Sequence, residues 1–167
     1  MKKKILSLSF LLYALTMVPN TGYCAQKPED IDPCGLVTVE KMRSAFPQLQ
    51  RAEKKQVGPT IVCNYLDKFD IPALIVSVNQ AGEHARDTFA LLDSGYVIQE
   101  IADLGDNAAI AIQQANPTFG LQEGVAALQI NKGDLALNLS FTRLTIQPEG
   151  PEIESVKSLA TEMLSSL

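Results

Sequence analysis

Tryptophan is absent, aromatic residues make up 6% of the 167 residues, and there is one histidine, His84. The first two shortages remove the broad aromatic platforms on which bases and sugars stack. The third leaves triad and metal chemistry with one imidazole. Cysteine is scarce as well, at three. The chain contains no CxxC, HExxH, EF-hand loop or Gly-x-Ser-x-Gly, so zinc, calcium and α/β-hydrolase chemistry lack their motifs. Positive charge is the minority, with 14 Lys+Arg against 19 Asp+Glu and a net charge of −5. That balance opposes a nucleic-acid backbone. What is plentiful is apolar: 46% of residues are hydrophobic, enough to build a core. The length suits one domain rather than two.

The N-terminus reads as an address. Lys2, Lys3 and Lys4 precede an uncharged, mostly apolar stretch from Ile5 to Val18, followed by Pro19-Asn20-Thr21-Gly22-Tyr23-Cys24-Ala25. A basic start, a short apolar run and a small-residue exit make a secretory signal peptide, placed at residues 1–25, with a single domain over 26–167. The run is shorter than the roughly 20 residues of a membrane span. Cleavage is expected after Cys24 or Ala25. Lipid anchoring at Cys24 is not expected, because a bacterial lipoprotein signal wants a small residue before the modified cysteine and Tyr23 stands there. The reading is therefore an exported, periplasmic protein. Losing the leader leaves 11 basic against 19 acidic residues, a net charge of −8, which favours a basic partner.

Without Cys24, two cysteines remain, Cys34 and Cys63. An even pair in an exported chain reads as a disulfide. Two buried free thiols are the rival reading. A thiol nucleophile is a weaker rival, since it needs a base and His84 is the one imidazole on offer.

Thr38 caps a helix expected over Val39 to Phe46, with Val37 and Met42 at the staple positions and Pro47 as the stop. Gln48 to Thr60 reads as a polar loop with room for a weak edge strand. Strands are expected at Ile61 to Leu66, Ala73 to Asn79, Val97 to Ile101, Ala108 to Ile112, Val125 to Ile130 and Leu135 to Phe141. The last alternates strictly, with Leu135, Leu137, Leu139 and Phe141 on one face. A second helix is expected over Glu83 to Ser94, stopped by Gly95, and a third begins near Pro151. Hairpin-length connections imply an antiparallel sheet. The expected fold is α+β, a mainly antiparallel sheet of about six strands packed with three helices.

Four motifs carry a resemblance. Asp32-Pro33-Cys34-Gly35-Leu36-Val37-Thr38 opens the domain, and Val62-Cys63-Asn64-Tyr65 lies in the first clear strand. Leu104-Gly105-Asp106-Asn107-Ala108-Ala109 follows the second helix, and Lys132-Gly133-Asp134 precedes the last strand. This order resembles a family of secreted bacterial domains of unknown function, common among mycobacterial lipoproteins, that open with Asp-Pro-Cys and pair that cysteine with one in an early strand. The resemblance covers about Asp32 to Leu167. It implies an exported α+β domain with one structural disulfide and no established catalytic residues. The leader departs from those relatives, which often carry a clean lipidation site.

Candidate sites are few. Glu83, His84 and Asp87 share a short stretch, but that spacing is common on solvated helix faces and is not expected to hold a metal. Asp67 and Asp70 form a possible carboxylate pair across a turn, which would need a cleft and one raised pKa to do glycosidase chemistry. Phe119 and Leu121 sit in a Pro/Gly loop and are the candidate binding anchors. The function that fits best is a non-catalytic exported envelope protein that binds a protein partner or a small ligand, with no cofactor. The alternative is a periplasmic carrier of an apolar or lipid ligand, with a cavity lined by Leu137, Leu139, Ile153 and Val156. A small hydrolase built around His84 is the third.

Overall fold

The computed structural model describes residues 26–92, 95–116, 118, 120 and 124–167. The expected leader, Phe119 and Leu121 lie outside them. Seven strands form one antiparallel sheet: β1 (Arg51–Val57), β2 (Thr60–Leu66), β3 (Pro72–Gln80), β4 (Tyr96–Glu100), β5 (Asn107–Gln113), β6 (Ala126–Lys132) and β7 (Leu135–Phe141). Their order across the sheet is β1-β2-β3-β7-β6-β5-β4. Two α-helices, α1 (Val39–Ala45) and α2 (Glu152–Ser165), complete the α+β architecture.

The seventh strand corrects the expected count of about six. Gln48 to Thr60 holds the edge strand it had room for: β1 pairs with β2 in continuous register from Arg51↔Leu66 to Val57↔Thr60, at the margin of the sheet. Its side chains are exposed except for half-buried Ala52, so no alternation betrays it. The Gly58-Pro59 turn that feeds it back into β2 has Gly58 at φ +59, a conformation that glycine adopts without strain.

One face of the sheet carries the main core. Leu74, Val76 and Val78 of β3 stand opposite Phe141, Leu139 and Leu137 of β7, and Leu128 and Ile130 of β6 extend the rows. Helix α2 lays Val156, Leu159, Ala160, Met163 and Leu164 onto this surface, joined by Met42 of α1. Each fully buried Leu or Ile contributes roughly 1.5–3 kcal/mol. Thr38 caps α1 by accepting from the Lys41 N–H at 3.3 Å, and Lys41 reaches Glu162 of α2 at 3.1 Å. At the other end of α2, Lys132 donates to the Leu164 carbonyl, placing a cation at the negative end of the helix.

The lead-in to α1 is tied to the β1–β2 hairpin three times. Cys34 and Cys63 form the disulfide, with Cα atoms 5.0 Å apart. Tyr65 donates its hydroxyl to the Val37 carbonyl at 3.0 Å, and Lys54 on neighbouring β1 reaches Asp32 at 2.9 Å. Burial pushes the Tyr65 phenol up to about 12, helped by the Asp32 charge.

The second face is half covered. The segment between β3 and β4 folds across it and sets Ala85 and Phe89 on Ala109 and Ala111. The helix expected over Glu83 to Ser94 is narrower and of 3₁₀ type, over Asp87–Leu92. Its opening turn is committed elsewhere: the Ala85 N–H goes to Asn107 Oδ1 and the Glu83 carbonyl to Asn131 Nδ2. No helix among the described residues is long and apolar enough to cross a membrane.

Candidate functional site

Two surfaces stand out from the packed sheet. The first is the hairpin joining β2 to β3. Asp67 opens it, and its Oδ1 accepts from the Phe69 N–H at 2.8 Å and the Ile71 N–H at 3.1 Å. Its Oδ2 faces Arg143 at 3.2 Å. Asp70, at φ +60, is gripped by Arg51 Nε at 2.9 Å. Burial alone would raise the Asp67 pKa, but the Ile71 and Phe69 N–H donors and the Arg143 charge hold it below its ordinary value. The loop is therefore fixed before anything binds. At its tip Phe69 is 65% exposed and Ile71 is 40% exposed. Beside Phe69 lies a cleft of about 600 Å³ reaching Pro47, Gln50 and Arg143.

Asp67 and Asp70 do share this turn, but each carboxylate is spoken for by a different arginine. Asp67 is shifted downward, opposite to what a general acid needs.

The second surface is the open half of the second sheet face, beside the 3₁₀ segment. Here β3, β7 and β6 present Asn79, Asn138 and Gln129 in cross-strand order, with Asn138 directly opposite Gln129. Together with Glu83, Asp87 and Leu91 they line a groove of about 640 Å³. Leu91, at 98% exposure, is the most exposed large apolar side chain among the described residues.

The remaining sequence candidates fall elsewhere. His84 borders a separate hollow with Glu100, Asp103 and Asp106, and its Nδ1 is 3.4 Å from the Arg86 N–H. Among the described residues no group of three or more His, Cys, Asp or Glu side chains is placed to hold a metal ion. Leu137, Leu139 and Val156, three of the four residues expected to line a carrier cavity, are each at most 1% exposed within one core cluster, and Ile153 packs against it. Sequence reasoning missed Phe69. The signal was present: an aromatic stands between two acids in a turn, where polar residues are usual. Compared with family models, curated proteins and solved structures, the chain finds no match.

Proposed function

We propose that this chain is an exported, non-catalytic binding protein of the bacterial envelope, which engages a protein partner through the β2–β3 hairpin. The carrying observation is Phe69, 65% exposed at the tip of a loop braced by Asp67, Arg51 and Arg143. A large aromatic presented without flexibility loses little entropy on docking, and such residues dominate interface energetics. The disulfide agrees with an oxidising, periplasmic compartment. The Asp-Pro-Cys opening supports placement beside the exported family that the chain resembles. The net charge of −8 expected after leader removal favours a basic partner through faster encounter.

The test places a photo-crosslinking residue at position 69 in the full chain, expressed in its native host, with position 57 as an exposed control at the other end of the sheet. A partner captured from 69 and not 57 is then purified and titrated. Phe69→Ala is expected to weaken binding about 30-fold, the equivalent of a 2 kcal/mol hot spot, with the melting temperature unchanged. Equal capture from both positions, or unchanged affinity in Phe69→Ala, sinks the proposal.

A further inference from the structure

We infer that the groove on the second sheet face binds a guanidinium or ammonium group carried on an aliphatic stem. The argument begins with a chain of amides whose orientation is fixed at one end by the backbone. The Ala85 N–H donates to Asn107 Oδ1 at 2.8 Å, which sets that amide. Asn131 therefore turns its Nδ2 toward Asn107 Oδ1, at 3.0 Å, and the same nitrogen donates to the Glu83 carbonyl at 2.9 Å. That leaves Asn131 Oδ1 as an acceptor, and Gln129 Nε2 fills it at 3.2 Å. Gln129 is thus fixed with its carbonyl oxygen, Oε1, as the group left over.

Gln129 is 7% exposed and lines the groove. Its Oε1 receives no hydrogen bond from the described residues. Among those residues Glu152 Oε2 is the one fully buried side-chain polar atom without a partner, so Gln129 Oε1 keeps contact with the groove. The neighbouring Asn138 repeats the pattern: its Nδ2 donates to the Ala136 carbonyl at 3.2 Å. Asn79 is engaged at both ends, its Nδ2 donating to Ser77 Oγ at 3.4 Å and its Oδ1 accepting from Thr60 Oγ1 at 3.5 Å. At the centre of the floor the Gln129 and Asn138 nitrogens are engaged within the protein, and their two carbonyl oxygens are left for a ligand.

The walls fix the sign of that ligand. Glu83 and Asp87 are the charged residues of the lining, and no Lys or Arg belongs to it. A floor of acceptors below two carboxylates calls for a donor-rich cation, and a planar guanidinium matches a carboxylate and an amide oxygen together. Leu91, Ala90 and Ala136 give methylenes an apolar wall, so a cation on a stem fits better than a bare ion. The volume, about 640 Å³, lies within the range of small-molecule pockets. This site meets β3 at Asn79 and Gln80, the opposite end of the strand from the β2–β3 hairpin, and stands whether or not Phe69 binds anything.

The test follows the side-chain amide signals of Gln129 and Asn138 by NMR while the mature protein is titrated with arginine ethyl ester, spermidine and a lysine/arginine peptide. Saturable shifts at those two amides are expected, weakened by salt, lost at least tenfold in affinity in Glu83→Gln/Asp87→Asn, and unchanged in Phe69→Ala. Both acids have exposed side chains, so that double variant should fold. Saturation by the free amines identifies a small-molecule ligand, and saturation by the peptide alone identifies a side chain of a protein partner. Shifts spread over all acidic surfaces, no saturation with any probe, or equal affinity in the double variant overturns the inference.

Discussion

Opening the Cys34–Cys63 bond tests how much of the fold rests on its covalent tie. The cysteines are 29 residues apart. For a loop of that size the chain-entropy relation gives about 12 cal/mol/K, or about 3.6 kcal/mol at 25 °C. The other two ties between the lead-in and the sheet, Tyr65 to Val37 and Lys54 to Asp32, need no disulfide, so the folded state should change little. The effect then lies in the unfolded chain, which gains freedom. Unfolding entropy of about 2.1 cal/mol/K per residue over about 140 residues converts the loss into a fall in Tm of about 12 °C. Calorimetry of the mature protein with and without reductant measures this, with Cys34→Ala/Cys63→Ala as the reductant-free check. Urea melts should show a steeper m-value in the reduced chain, because the unlinked unfolded state exposes more surface. A fall of less than about 4 °C with an unchanged m-value would refute the reasoning, since the entropy relation requires a larger loss.

Two further outcomes probe the turns. Gly105 has φ +64, and a Cβ there would lie 2.5 Å from the Asn131 carbonyl oxygen and 2.7 Å from Ile130 Cγ2. That oxygen also accepts the Asp106 N–H at 2.8 Å and is not free to move. Gly105→Ala should cost about 3 kcal/mol or more, whereas Gly133→Ala, left-handed but facing open space, should cost about 1 kcal/mol. Equal losses in thermal melts would show that crowding plays no part. The hairpin makes a pH prediction. Asp67 is held below its ordinary 3.8 in the folded state, so its contribution is complete above about pH 5 and fades as pH falls through the folded-state value. The stability gap between wild type and Asp67→Asn, read from urea midpoints, should therefore close between about pH 5 and pH 2. A gap that persists to the acid end would place the effect in packing rather than charge.

Legibility in the sequence followed burial. Strand β7 declares itself because Leu135, Leu137, Leu139 and Phe141 face the core while Ala136, Asn138 and Ser140 face away. Helix α2 is equally plain, its apolar stripe having one sheet face to meet. Strand β1 shows in the sequence only as room for a weak edge strand, for the opposite reason: it is held by its ladder to β2 and has almost no buried side chain. The crossover between β3 and β4 looks helical by spacing, yet its first turn is taken by Asn107 and Asn131, partners 22 and 48 residues away. The disulfide followed from cysteine arithmetic once the leader was set aside. The amide groove left one faint trace. The outward positions of β6 and β7 carry Ala127, Gln129, Asn131, Ala136, Asn138 and Ser140, none of them charged, where a fully solvated face would carry Lys and Glu.

The strand order has a consequence for how the molecule is made. Strands β1, β2 and β3 form one meander and β4 to β7 another, and the two meet where β3 pairs with β7 from Leu74↔Phe141 to Gln80↔Leu135. The middle of the sheet thus joins segments with strands β4, β5 and β6 between them. A chain that emerges N-terminus first can zip its first three strands early, yet the centre stays open until Phe141 is out. Until then β3 offers an unpaired apolar edge, and loop closure makes its docking the slow step. The hazard during biogenesis is therefore greatest at the strand that ends up best protected. A binder that caps β3 during synthesis would guard the chain, and one that failed to leave would prevent it from ever closing.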